Sequence, residues 1–214
     1  FNLSGGYPEG GTYSGPGISV SPEFDPSAAD TGTHTITYTY SLGTGCTGSA
    51  TRTIAVNPLP TVTFTSIDTV CENSGSITLA QGAPVGGTYA GPGVTGTTFS
   101  PSAAGAGTHT LTYTYTDGNS CTNTATQTIT VNAAPSPSLA GPSEICSPGS
   151  GAFTTPENPG HSYSWTYTEG AASGGTSSHT LSIDYTTSGT DVIQVTETDD
   201  ATGCSASDNL NITI

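Results

Sequence analysis

The sequence repeats itself. GGTYSGPG at residues 10–17 returns as GGTYAGPG at 86–93, FDPSAA at 24–29 as FSPSAA at 99–104, and RTIAVN at 52–57 as QTITVN at 127–132. The offset is 76 residues up to the Gly-Pro-Gly turn and 75 beyond it, a one-residue difference that a loop absorbs. DTGTHTITYTYSLGTGC at 30–46 and GAGTHTLTYTYTDGNSC at 105–121 each end on a cysteine. A more distant third unit starts near Pro135 and keeps the closing pattern, VTETDDATGC at 195–204 followed by DNLNITI. A chain written this way folds as modules. The boundaries are expected at 1–57, 58–133 and 134–214, with short proline-containing joints, NPLP at 57–60 and NAAPSP at 132–137, that restrict bending.

Each unit reads as β-strands. From Thr108 to Tyr115 threonines alternate with larger residues, so a period of two places His109, Leu111, Tyr113 and Tyr115 on the inward face. Threonine is β-branched and bonds water, which suits the solvated face of an antiparallel sheet. Asp117-Gly118-Asn119 supplies a hairpin turn, and a strand returns from Cys121 through Val131. The fold class expected is all-β, with tandem immunoglobulin-like β-sandwich modules of about seven strands in an elongated array.

Charge excludes several classes of partner. The formal net charge is −15, and Arg52 is the only lysine or arginine. Nucleic acid is bound by neutralising phosphates with such residues, so it is excluded, and anionic membrane surfaces are disfavoured on the same ground. No apolar run approaches the roughly 20 residues of a membrane span, so no membrane insertion is expected in this segment.

Five cysteines cannot all pair within one chain. Cys71 precedes a strand of the second unit and Cys121 follows its long hairpin; Cys146 and Cys204 occupy comparable places in the third. The expected bridges are Cys71 to Cys121 and Cys146 to Cys204, each closing a loop worth about 4 kcal/mol in the chain-entropy model. Cys46 matches Cys121, and the counterpart of Cys71 would fall six residues before Phe1. Cys46 is therefore expected to be unpaired in this segment, and the first unit to lack its opening strand. An excerpt from a longer array explains this; a strand donated by a neighbouring subunit is the alternative. Paired cysteines imply an oxidising compartment outside the cytoplasm, and no CxxC or clustered Cys/His spacing suggests a metal instead.

Chemistry is sparse. No GxSxG elbow, HExxH or glycine-rich phosphate loop occurs, so no catalytic residue and no bound cofactor is expected. His34 and His109 share one register and read as structural. Nine of the 16 acidic residues follow Pro135, and Glu197, Asp199 and Asp200 near the last hairpin are the calcium candidates, set against a solvated turn. Trp165, the single tryptophan, reads as a core residue of a central strand, with an exposed sugar platform as the alternative. Asp68-Thr69-Val70 and the sequons at Asn2 and Asn211 suit a glycosylated surface.

GGTYxGPG, the run from FxPSAA to TITVN and the NPLP joint resemble the tandem immunoglobulin-like repeats of very large Bacteroidota surface proteins, including gliding-type adhesins and other cargo of the type IX secretion system. The third unit, GPSEICSPGSGAFTTPENPGHSYSWTYTEG onward, resembles the PKD-like modules that accompany them. The resemblance implies export and display at the cell surface, and an O-glycan on Thr69. A stalk or fibre segment follows as the expected role, its three modules of roughly 33 Å each in line. Its partners would be neighbouring repeats of the same chain or fibre. Two alternatives stay open: adhesive modules that bind surface glycans or other cells, and a non-catalytic appendage of a secreted enzyme.

Overall fold

The computed structural model describes residues 1–172 and 176–214. The described residues are built of strands, with two single-turn helices. The first repeat contributes β1 (Thr12–Ser14), α1 (Pro26–Ala29), β2 (Gly32–Ser41) and β3 (Thr47–Val56), in a sheet ordered β1-β2-β3. The second contributes β4 (Thr63–Phe64), β5 (Val70–Cys71), β6 (Ile77–Thr78), β7 (Gly82–Ala83), β8 (Thr88–Ala90), β9 (Val94–Thr95), β10 (Thr98–Phe99), α2 (Pro101–Ala104), β11 (Gly107–Thr116) and β12 (Thr122–Asn132). Its sheets run β5-β12-β11-β8, β6-β10-β9 and β4-β7. The third contributes β13 (Gly149–Thr154), β14 (His161–Thr166), β15 (Ala171–Ala172), β16 (Thr180–Tyr185), β17 (Thr190–Asp199) and β18 (Ser205–Thr213), in sheets β13-β16-β15 and β14-β17-β18. No described sheet mixes strands from different repeats.

The chain packs into two compact units. One comprises Phe1–Val62, Pro84–Gly87 and Thr114–Thr124; the other comprises Thr63–Ala83, Thr88–Tyr113 and Ala125–Ile214. In the first, Phe24, Ala29 and Ile36 are buried, backed by Tyr13, Ile54 and Val56. The second holds the β-sandwich in its plainest form. Phe153, Leu181, Ile183 and Tyr185 from one sheet of the third repeat share a core with Tyr163, Trp165, Ile193, Val195 and Ile212 from the other. Two antiparallel sheets closed face to face over alternating inward residues make an immunoglobulin-like sandwich. The second repeat buries Phe64, Leu79, Phe99, Leu111, Tyr113, Ile129 and Val131 in the same manner.

The alternation expected for 108–115 is observed. Leu111 and Tyr113 are buried and His109 is half-buried between exposed Thr108 and Thr110, while Thr112, Thr114 and Tyr115 are all half-buried. Both short helices start at a Ser or Asp cap followed by proline, and both follow the Gly-Pro-Gly turn. Gly17 and Gly93 take φ of 79° and 74°, where a side chain would strain the backbone and meet Ala29 or Ala104 at 2.7–2.8 Å.

The cysteine pairing differs from expectation. Cys71 is bonded to Cys204, with Cα atoms 5.6 Å apart, while Cys121, Cys146 and Cys46 are free. The reason is strand geometry. β5 lies parallel to the far end of β12, with Cys71 opposite Asn132, whereas Cys121 precedes the strand's first residue. The ten steps between the two ends of β12 span roughly 34 Å, far beyond the Cα separation of about 7 Å that a disulfide can bridge. The third repeat behaves alike: Glu144 bridges to Thr213 and the Ile145 amide donates to Thr213, so Cys146 lies at the end of β18 and Cys204 before its start. Each complete repeat thus carries one cysteine at either end of its closing strand, and the observed bond joins the second repeat to the third.

Candidate functional site

The hairpin cysteines share one backbone pose. The amides of Leu42, Asp117 and Asp199 donate to the carbonyls of Cys46, Cys121 and Cys204, each at 2.9 Å. In the second hairpin Asp117 Oδ1 also accepts from the amides of Asn119 and Cys121, at 2.9 Å each, which fixes the turn. Cys46 and Cys146 are exposed; Cys121 is half-buried.

Two hollows mark the first repeat. One, of about 350 Å³, is lined by Gly6, Tyr7, Tyr13, Ile36, Tyr38 and Arg52. Its two inner tyrosines pack in a tilted pair with ring centres 4.9 Å apart. Their hydroxyls are already engaged: Gly6 N donates to Tyr13 Oη and Gly11 N to Tyr38 Oη, which in turn donates to the Pro8 carbonyl. Arg52 is the only charge on the wall. The other hollow, of about 250 Å³, includes Phe1, Phe24, Ile54, Val56, Asn57 and Cys121. Both lie within the first compact unit.

The third repeat contains two buried carboxylates, Glu197, a calcium candidate expected near a solvated turn, and Asp191, which no motif singles out. Asp191 is 2 % exposed and accepts from Thr168 N, Thr168 Oγ1, Val192 N and Tyr185 Oη at 2.6–3.1 Å. Burial alone would raise its pKa; these bonds outweigh burial and hold the carboxyl below its ordinary value. Tyr185 is pushed well up, first by its own burial and then by the Asp191 charge. Glu197 is fully buried, and its Oε1 accepts from Asn158 Nδ2 at 2.6 Å and meets His161 Nδ1 at 2.7 Å. Its Oε2 has no hydrogen-bond partner among the described residues. A signal for both existed: Asp191, Ile193, Val195 and Glu197 share one parity along β17, so alternation alone places them on one inward face.

The three calcium candidates are therefore in different settings. Glu197 is inside, beside His161. Asp199 sits in the hairpin, where bonds from Ala201 N and Thr202 Oγ1 hold its carboxyl below the ordinary value. Asp200 uses its amide on the Gly160 carbonyl. Among the described residues no three His, Cys, Asp or Glu side chains are grouped as a metal site. His34 and His109 each place Nε2 against the carbonyl four residues back, Asp30 and Gly105, at 3.0 and 2.8 Å. Trp165 is buried, with Nε1 donating to Ser178 O at 2.7 Å, as a core residue rather than a platform. Thr69, Asn2 and Asn211 are exposed. No helix among the described residues is long and apolar enough to cross a membrane.

No family model matches the chain, and no curated protein matches it. Solved structures align weakly. SGBP-B of a Bacteroides ovatus mixed-linkage glucan utilization locus, in complex with a mixed-linkage heptasaccharide, aligns over 73% of this chain and 46% of its own, at 14% identity and a TM-score of 0.25. Protocadherin Gamma B2 extracellular cadherin domains 3-6 align over 89% of this chain and 61% of theirs, at 12% identity and a TM-score of 0.28. The Drosophila N-cadherin ectodomain segment covers 100% of this chain and 69% of its own, at 12% identity and a TM-score of 0.28. This chain spans about half the length of the first of these. Scores this low carry no argument, and the sandwich assignment stands on the strand ladders themselves.

Proposed function

We propose that the chain is a load-bearing segment of an extracellular stalk or fibre, non-catalytic and composed of three immunoglobulin-like repeats bounded near residues 57 and 133. The Cys71–Cys204 bond carries this reading, because it ties one repeat to the next instead of closing a single module. A bond between residues 133 apart in sequence takes the chain between them out of the path of an axial pull. Force applied at the two ends crosses the sulfur bridge and bypasses residues 72–203, which hold β6 to β12 of the second repeat and β13 to β17 of the third. Disulfides also need an oxidising compartment, which favours export and display. The resemblance to Bacteroidota surface repeats and type IX cargo agrees with that location. Absence of lysine rules out lysine-derived isopeptide braces, leaving sulfur as the covalent reinforcement.

The test is single-molecule stretching between the termini under oxidising and reducing conditions. Reduction is expected to add about 450 Å of contour length, the extended span of the bypassed residues. An oxidised chain that already extends to its full length would refute the load-bearing role.

A further inference from the structure

The two hollows of the first repeat lie where the second repeat seats its opening strands. Phe64 pairs with Gly82 and meets Tyr89 edge-on and Tyr113 at a tilt, with ring centres 5.4 and 6.3 Å away. The counterparts of Gly82, Tyr89 and Tyr113 in the first repeat are Gly6, Tyr13 and Tyr38. These line the larger hollow. The match extends to detail: Gly82 N donates to Tyr89 Oη at 2.8 Å, as Gly6 N does to Tyr13 Oη, and the paired tyrosine rings lie 4.7 and 4.9 Å apart. Farther along, Val70 and Cys71 pair in parallel with Val131 and Asn132. The counterparts of Val131 and Asn132 are Val56 and Asn57, which line the smaller hollow together with Cys121.

Length and exposure agree with the same occupant. Ala50 to Arg52 border the first hollow and Ile54 to Asn57 the second, so a segment running parallel to β3 meets them in order. Asn57 lies seven positions after Ala50, and Cys71 seven positions after Phe64. β3 is an edge strand, whereas β12 is covered by β5. Ile129 and Val131 are accordingly buried, and their counterparts Ile54 and Val56 are only half-covered.

We propose that the first repeat is a strand-acceptor site. Its occupant is an extended polypeptide segment from outside these 214 residues that carries Phe and, six and seven residues later, Val and Cys. The Phe ring fills the hollow at Tyr13 and Tyr38. The Val-Cys pair adds a parallel strand beside Val56 and Asn57, with backbone hydrogen bonds supplying affinity and the two pockets supplying specificity. The incoming cysteine then bonds to Cys121, just as Cys71 bonds to Cys204, the counterpart of Cys121. The bond forms by thiol–disulfide exchange. The incoming cysteine arrives as a mixed disulfide with a low-molecular-weight thiol, the Cys121 thiolate attacks its sulfur, and the small thiol leaves with the proton that Cys121 gave up. One disulfide breaks, one forms, and no net oxidation occurs. The proposal shares the repeat register with the stalk reading but not its mechanical claim, which a failure here leaves intact.

The test uses the intact 214-residue chain and a synthetic peptide of residues 61–74, TVTFTSIDTVCENS, with its cysteine held as a glutathione mixed disulfide. Coupling to each free thiol is followed by peptide mapping without reduction and normalised to labelling by glutathione disulfide. The peptide is expected to select Cys121 over the more exposed Cys46 and Cys146 by at least tenfold. Peptides carrying Phe64→Asp or Val70→Asp lose that selection. Amides of residues 55–57 gain protection from hydrogen exchange in the coupled product. Coupling to the three thiols in the same ratio as glutathione gives, or selection of Cys121 without protection of residues 55–57, overturns the proposal.

Discussion

Cys71 and Cys204 are bonded with their Cα atoms 5.6 Å apart although they stand 133 positions apart in sequence. Beside them Asn73 Nδ2 donates to the Ser205 carbonyl at 2.8 Å. In the chain-entropy model a loop of this size is worth about 5 kcal/mol. Replacing both cysteines by serine is expected to lower the unfolding free energy by about 2–5 kcal/mol. Equilibrium denaturation in urea checks the loss, and mapping under non-reducing conditions checks the pairing.

Asp191 makes the third repeat acid-sensitive. Its folded pKa lies below the ordinary carboxylate value, so its contribution is complete above about pH 4 and disappears as pH falls through the lowered folded value. Asp191→Asn is expected to flatten the dependence of stability on pH in that window. At neutral pH it should cost about 2–4 kcal/mol, because Thr168 and Tyr185 lose a charged acceptor inside the core. Urea midpoints measured between pH 2 and pH 6 on both chains decide it.

Gly6 and Gly82 occupy the same place under a tyrosine ring. A Cβ there would approach Tyr38 or Tyr113 to within 2.4–2.5 Å. Gly82→Ala is expected to destabilise by about 1–3 kcal/mol through overpacking, since Tyr113 is buried and cannot swing away. Gly6→Ala should cost less, because Tyr38 borders an open hollow. Thermal denaturation of the two variants gives the order.

Trp165 reports on the third repeat alone, as the only tryptophan. Trp165→Phe removes the bond to Ser178 O and is expected to cost about 1–2 kcal/mol, from one hydrogen bond and a smaller ring. Emission from the native chain should shift to the red on unfolding, and its midpoint should follow that of the Cys71–Cys204 variants. A red-shifted native spectrum would contradict its burial.

Much of this architecture was legible from alternation and repetition. The threonine-spaced run around Leu111 gave the strand and its buried face, and the repeated GGTY-GPG and PSAA stretches gave matching turns and helices. The cysteine pairing was not legible from order along the chain. It depends on β5 running parallel to β12, which brings Cys71 to the end of the strand remote from Cys121. Short two-residue strands such as Thr63–Phe64 and Val70–Cys71 carry too little pattern to reveal their partners. The burial of Glu197, named only as a hairpin calcium candidate, and the whole of the Asp191 site were not legible for another reason: a carboxylate is ordinarily read as solvated, and only the parity of β17 contradicts that.

The matching pose of the hairpin cysteines has a consequence for how such a chain can lengthen or shorten. Any unit of this design brings both halves of a latch, a sulfur on its tip and another at its base. Recombination that inserts or deletes a whole unit therefore leaves the remaining fastenings compatible, and reach can vary between lineages with no redesign of the joints.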